Sequence, residues 1–161
     1  MSLNSLASDT VLKSKIAKGL SIVELMVAIA VLGILLTIGK SSYDEYFEKV
    51  DRAKAVKDIK IIALQITDHS LTFGSYPDSL SELRINMIDP WGNPYKYLAI
   101  AGKKKSGKVR KDHSLVPINS DFDLYSLGKD GKSAPPLTAR ASRDDIVRAS
   151  NGNYIGLGSD Y

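Results

Sequence analysis

Three groups of residues in this 161-residue chain have types and spacings that could do chemistry. The first is the junction Lys18-Gly19-Leu20-Ser21-Ile22-Val23-Glu24-Leu25, where one carboxylate stands inside an apolar run. A carboxylate inside a membrane span costs about 2.5–3.5 kcal/mol on insertion scales, and such residues ordinarily have a partner. The second is the segment from Leu127 to Asp145, whose Asp130, Asp144 and Asp145 could join carbonyls around tight turns. That is the all-oxygen chemistry of calcium, which takes six to eight ligands at about 2.3–2.6 Å. The spacing is not that of an EF-hand, and Asp130-Gly131 reads equally well as a plain hairpin turn. The third is Gly102 to His113, with six Lys or Arg against one acid. Such a run could touch phosphate, yet no aromatic residues are interleaved to stack on bases, so it reads as a solvated hairpin tip and no nucleic-acid partner is expected. His69 and His113 have no partner at triad or metal spacing, Trp91 reads as a core anchor under a turn, and no enzyme active site is legible.

The absence of cysteine excludes a disulfide scaffold, a thiol nucleophile and thiolate metal sites. Hydrophobic residues make up 43% and charged residues 25%, ordinary for a globular protein. The mean hydropathy of −0.10 looks soluble, but it averages over an uneven chain. From Leu20 to Gly39 the only charge is Glu24. As a helix this run would be about 30 Å long, the thickness of a bilayer's hydrocarbon core. Ahead of it stand Lys13, Lys15 and Lys18 against Asp9 alone, a bias that keeps the N-terminal end in the cytoplasm. A cleaved secretory signal fits poorly, because the apolar run is too long and no A-x-A-like site follows it. A buried soluble helix also fits poorly, because the run has almost no polar face.

Beyond Gly39 the helical pattern continues in amphipathic form. Tyr43, Tyr46, Phe47, Val50, Ala53, Val56, Ile59, Ala63 and Ile66 form an apolar stripe, and charges of both signs fill the rest. No Pro occurs between Leu20 and Tyr76, so one helix from about Leu20 to about Leu71 is expected, stopped by Gly74 and Pro77. Asp78–Leu83 reads as a short capped turn and Asp89-Pro90-Trp91-Gly92-Asn93-Pro94 as turn chemistry. Residues 95–100 and 122–127 read as strands, Lys132–Arg143 as a long polar loop, and Ile146-Val147 and Tyr154-Ile155 as terminal strand pieces. The expected class is α+β, a long N-terminal helix packed on a small antiparallel sheet.

The N-terminal junction resembles the class III signal of type IV prepilins and of the pseudopilins of type II secretion. In that family prepilin peptidase cuts after the glycine and methylates the new amine. Carried over, the resemblance implies a leader over 1–19, cleavage between Gly19 and Leu20, and N-methylation of Leu20, where most members carry Phe. It also implies a helical region over 20–73, whose residues 20–39 form a transmembrane segment and later a filament core, and a periplasmic α+β region over 74–161. Glu24 of one subunit would pair with the Leu20 amine of its neighbour. Two further segments narrow the likeness: Asp89-Pro90-Trp91-Gly92-Asn93-Pro94-Tyr95 and Phe122-Asp123-Leu124-Tyr125-Ser126-Leu127-Gly128-Lys129-Asp130-Gly131 are similar to motifs of the major pseudopilin. That family's structural calcium site implies ligands here at Leu127, Asp130, Lys132, Ser142, Asp144 and Asp145. The insertion Ala134–Arg140 stands where the family's loop is short and Gly-rich, so the assignment among Ser142, Asp144 and Asp145 stays open. The implied function is polymerisation into the pseudopilus that drives export of folded proteins across the outer membrane. The implied partners are further copies of the chain, minor pseudopilins, prepilin peptidase and the inner-membrane assembly platform. The precursor is expected in the bacterial inner membrane with its C-terminal region in the periplasm. A type IV pilus subunit, serving adhesion, motility or DNA uptake, is the alternative. A third reading is a membrane-anchored periplasmic binding protein or enzyme that keeps its leader.

Overall fold

A computed structural model of the chain describes residues 19–102 and 108–161. Helix α1 runs over Ile22–Phe73, 52 residues without a proline. It ends as Gly74 takes φ +74° and returns its N–H to the Ser70 carbonyl at 2.9 Å, a left-handed cap that a glycine makes without a Cβ penalty. The chain divides into two compact units, the first ending at Ser42 and the second beginning at Tyr43.

In the first unit, α1 has no buried side. Leu20, Ile22 and Leu36 are 73%, 78% and 72% exposed, and no residue of the apolar run is shielded by the chain itself. An apolar surface on every side of a helix has to be covered by lipid or by other helices.

The second unit holds a four-stranded antiparallel sheet in the order β1-β2-β3-β4, with β1 Lys96–Ala99, β2 Phe122–Ser126, β3 Ile146–Ala149 and β4 Tyr154–Leu157. Lys96 lies opposite Tyr125, Tyr125 opposite Val147, and Ile146 opposite Leu157. Alternation along β2 sends Phe122 and Leu124 to one face and Tyr125 to the other. On the first face Phe122, Leu124 and Ile146 meet Ala55, Ile59, Ile62 and Ile66 of α1, all essentially buried, with Tyr95 and Ile85 closing the edges. Trp91 packs against this core as a half-buried wall, the anchor expected from sequence.

The helix face that meets the sheet differs from the expected stripe. Ile59 and Ile66 are buried as expected and Val56 and Ala63 are half-buried, but Tyr43, Tyr46, Phe47, Val50 and Ala53 are exposed. The physical reason is length. Five residues of strand span about 17 Å, which matches about 11 residues of helix, the stretch from Ala55 to Ile66. The sheet is too short to cover the rest. Asp58 sits in the buried stretch because the Tyr95 hydroxyl donates to its Oδ2 at 3.0 Å; burial and that carboxylate drive the Tyr95 phenol well above its ordinary range.

The second face of the sheet carries a smaller core of Ile118, Leu137, Val147 and Ala149, with Tyr125, Tyr154 and Tyr161 against it. Leu137 belongs to the segment read from sequence as a polar loop, and it is 1% exposed. That loop is therefore a lid on the sheet and not a solvated excursion.

Candidate functional site

At the N-terminal junction, Gly19 and Leu20 precede α1, and Leu25 N–H donates to the Ser21 carbonyl at 3.0 Å as the helix opens. The leader over 1–18 lies outside the described residues. Glu24 stands in the first turn, where the helix dipole favours an anion. It is exposed, and no ion pair or hydrogen bond reaches it among the described residues.

The turn Asp89–Pro94 is organised by one buried carboxylate. Asp89 Oδ1 accepts from Asn93 N–H at 2.7 Å and Trp91 N–H at 3.1 Å. Its Oδ2 accepts from the Ser126 hydroxyl at 2.5 Å, at the end of β2. Ser126 Oγ in turn accepts Gly128 N–H at 3.1 Å, and the Asn93 amide donates to the Gly128 carbonyl at 3.2 Å. The two segments that carry the family likeness are thus bonded to each other.

From this base the chain passes Asp144. Gly128 has φ +64°, and a Cβ there would lie 2.6 Å from Asp144 Oδ2 and 2.7 Å from its carbonyl carbon. Gly128→Ala is expected to cost about 2–4 kcal/mol, from backbone strain plus an overlap that backbone cannot relieve. Gly74→Ala, also at positive φ but with nothing within 4 Å, is expected to cost only about 1 kcal/mol. Urea unfolding of the full chain in detergent, read by Trp91 fluorescence, checks both; equal losses would count against the close approach.

Five of the six residues implied as calcium ligands fall into two hydrogen-bonded groups. Asp130 and Asp144 come together: Asp144 Oδ2 accepts Asp130 N–H at 3.0 Å, and Asp130 Oδ1 accepts Lys132 N–H at 2.8 Å. Ser142 faces a different neighbour, donating to the Ala134 carbonyl at 2.8 Å and accepting Ala134 N–H at 2.9 Å. Asp145 is fully buried, its Oδ2 taken by the Ser133 hydroxyl at 2.5 Å and by Arg110 Nη2 at 2.6 Å. Among the described residues no three acidic or histidine side chains are grouped to hold a metal ion. A guanidinium beside Asp145 also repels a second cation. Oδ2 of Asp145 is thus already committed to a cation and a hydroxyl of the chain itself.

Arg110 is the functional side chain that the sequence reading missed. Placed there in a solvated tip, it is 2% exposed and lies over the Tyr125 ring at 4.5 Å. Residues 103–107 of that basic run lie outside the described part. Two signals were available: Arg110 is the one arginine of the run Lys103–Lys111, whose other bases are all lysine, and its neighbour Val109, 4% exposed, is an apolar residue among cations. His69 Nδ1 lies 3.1 Å from the Ser75 carbonyl and its Nε2 3.7 Å from Glu82 Oε1, and His113 is exposed.

A helix whose apolar first half is unburied, continuing into a small domain of four antiparallel strands, is the fold of a type IV pilin-like subunit. The family model described as the prokaryotic N-terminal methylation motif matches residues 14–39. The type II secretion system core protein G of Pseudomonas aeruginosa is 30% identical over 139 residues, covering 71% of this chain and 84% of that protein. Its counterpart in Klebsiella pneumoniae is 27% identical over 133 residues, covering 80% of this chain and 91% of that one. A fimbrial protein of Neisseria meningitidis is 22% identical over 148 residues, covering 84% of this chain and 85% of that protein. No solved structure gives a significant match. The chain belongs to the family of the type II secretion system core protein G, the major pseudopilins.

Proposed function

We propose that this chain is the subunit that polymerises into the pseudopilus of a type II secretion system, in which growth of the fibre moves folded proteins towards an outer-membrane channel. One observation carries the reading: an apolar helix surface, exposed all round, bears a single carboxylate without a partner among the described residues. Lipid covers that surface in the precursor, and neighbouring helices cover it in a fibre. The precursor is held in the bacterial inner membrane with the α+β region in the periplasm. Prepilin peptidase removes residues 1–19 and methylates Leu20. The leader holds three of the bases and one of the acids, so the formal charge falls from +4 to +2 before the new amine is counted. That amine meets Glu24 of the neighbouring copy, neutralising both charges only in the assembled state and so setting axial register. The role is structural, and the assembly platform and minor pseudopilins act on the same subunit.

Mass spectrometry of the chain purified from its host tests the processing step. The expected N-terminal peptide begins at Leu20 and carries one added methyl group. A chain that keeps Met1–Gly19 would point instead to a monomeric membrane-anchored protein. The likeness to a fimbrial protein supports the type IV pilus alternative. Microscopy separates the two filament readings, since long surface pili would favour the alternative and short periplasmic fibres the pseudopilus.

A further inference from the structure

We propose that Arg110 is the built-in cation that fastens the C-terminal loop of this chain to its sheet, at the carboxylate where the family likeness would put a ligand of calcium. The guanidinium binds three points at once. Nη2 pairs with Asp145 Oδ2 at 2.6 Å, at the entry to β3, and Nη1 donates to the Ser133 hydroxyl and to the Ala134 carbonyl, at the start of the loop. Its flat face lies on Tyr125 of β2. One planar fork thus ties both ends of the loop segment 133–145 to the middle of the sheet, a geometry that a point charge does not provide.

The surrounding backbone holds Arg110 in place. Its own N–H donates to Asp123 Oδ2 at 2.7 Å, Lys111 N–H donates to the Pro135 carbonyl at 2.8 Å, and Leu137 N–H donates to the Lys111 carbonyl at 2.9 Å. The insertion Ala134–Arg140 is therefore laid against the Arg110-Lys111 strand-like segment, with Leu137 sealed beneath it. A chain without cysteine needs some clip for a loop of this length, and an ion pair inside the fold supplies it. The pair is exclusive to a degree: Asp145 Oδ1 and Arg110 Nε have no hydrogen-bond partner, so Oδ1 is the one atom of the pair that a calcium ion could still use.

The test is a thermal melt of the full chain in detergent, followed by the fluorescence of Trp91, the only tryptophan. The midpoint of the unaltered chain is expected to be the same in EDTA and in millimolar calcium chloride. Arg110→Met strands a buried carboxylate and is expected to lower the midpoint by on the order of 10 °C, with at least tenfold faster proteolysis within 132–143. Arg110→Lys is expected to recover only part of the loss, because an ammonium cannot make the three-way fork. Arg110→Met combined with Asp145→Leu removes both charges and is expected to recover most of it, which keeps the test readable if Arg110→Met alone fails to fold. A midpoint that falls in EDTA and returns with calcium would overturn the proposal. So would an Arg110→Met chain as stable and as protease-resistant as the original.

Discussion

Glu24→Ala is expected to enter the membrane, to lose its leader and then to fail at polymerisation. Alanine makes the apolar run from Leu20 to Gly39 more hydrophobic, so insertion improves if it changes at all. The cleavage junction at Gly19 and Leu20 is untouched. On the proposed pairing, what is lost is the partner of the neighbour's new amine. Removing one member of a buried pair costs about 3–5 kcal/mol, because the other charge stays buried and uncompensated. That loss recurs at every subunit added, so the concentration needed for fibre growth rises by about 10²- to 10⁴-fold. Immunoblotting of membranes would show a normally processed subunit, and electron microscopy of the same cells no fibres. Fibres of normal number and length from the variant would remove the assembly role of Glu24.

The legible part of the molecule was the part governed by periodicity and punctuation. A 20-residue run with one charge cannot be hidden, and the absence of proline carried the helix to Phe73, where Gly74 stopped it. The four strands lie on the four short runs read as strands. Which helix face would be buried was less legible: the stripe Tyr43–Ile66 continues beyond the sheet's reach, and the buried face holds Ala55 and Ile62, which the stripe left out, beside Ile59 and Ile66. The C-terminal loop was the least legible. Its composition is polar, yet one leucine, Leu137, and one arginine from a distant basic run turn it into a second layer over the sheet. Burial of Asp145 pushes its carboxyl up to about 6, against the pull of the Ser133 hydroxyl and the Arg110 guanidinium. The carboxylate is thus ionised near neutrality at some cost in solvation. Two residues 35 positions apart carry that pairing, and no spacing rule on a single sequence announces it.

Asp89→Ala is expected to be the most damaging single change in the α+β region. Asp89 is 3% exposed, and three donors end on it: two backbone N–H groups of its own turn and the Ser126 hydroxyl. Alanine would leave all three without an acceptor at a largely buried place, a loss of about 3–5 kcal/mol against a typical total stability of about 5–15 kcal/mol. Asp89→Asn separates charge from hydrogen bonding. Its amide oxygen can still accept Asn93 and Trp91 N–H, and its NH2 can donate to Ser126 Oγ, so less than half of the loss is expected. Ser126→Ala takes away the complementary group and leaves Asp89 Oδ2 buried without a donor, and Gly128 N–H without its acceptor. Because these residues form one network, the double variant Asp89→Ala, Ser126→Ala is expected to lose less than the sum of the singles. Urea unfolding gives the four stabilities, and Trp91, which sits in the turn itself, should shift its emission in Asp89→Ala even before unfolding begins. Additive losses, or an Asp89→Ala midpoint equal to that of the unaltered chain, would mean that the turn is held by its glycine and prolines alone. The consequence reaches past the turn. Asp89, through Ser126, fixes the position of Gly128, and Gly128 is the point at which the backbone passes under Asp144 at a distance that only a glycine permits. The conformation of the loop and the attachment of the Asp89 turn to β2 are therefore one structural decision, made by a carboxylate.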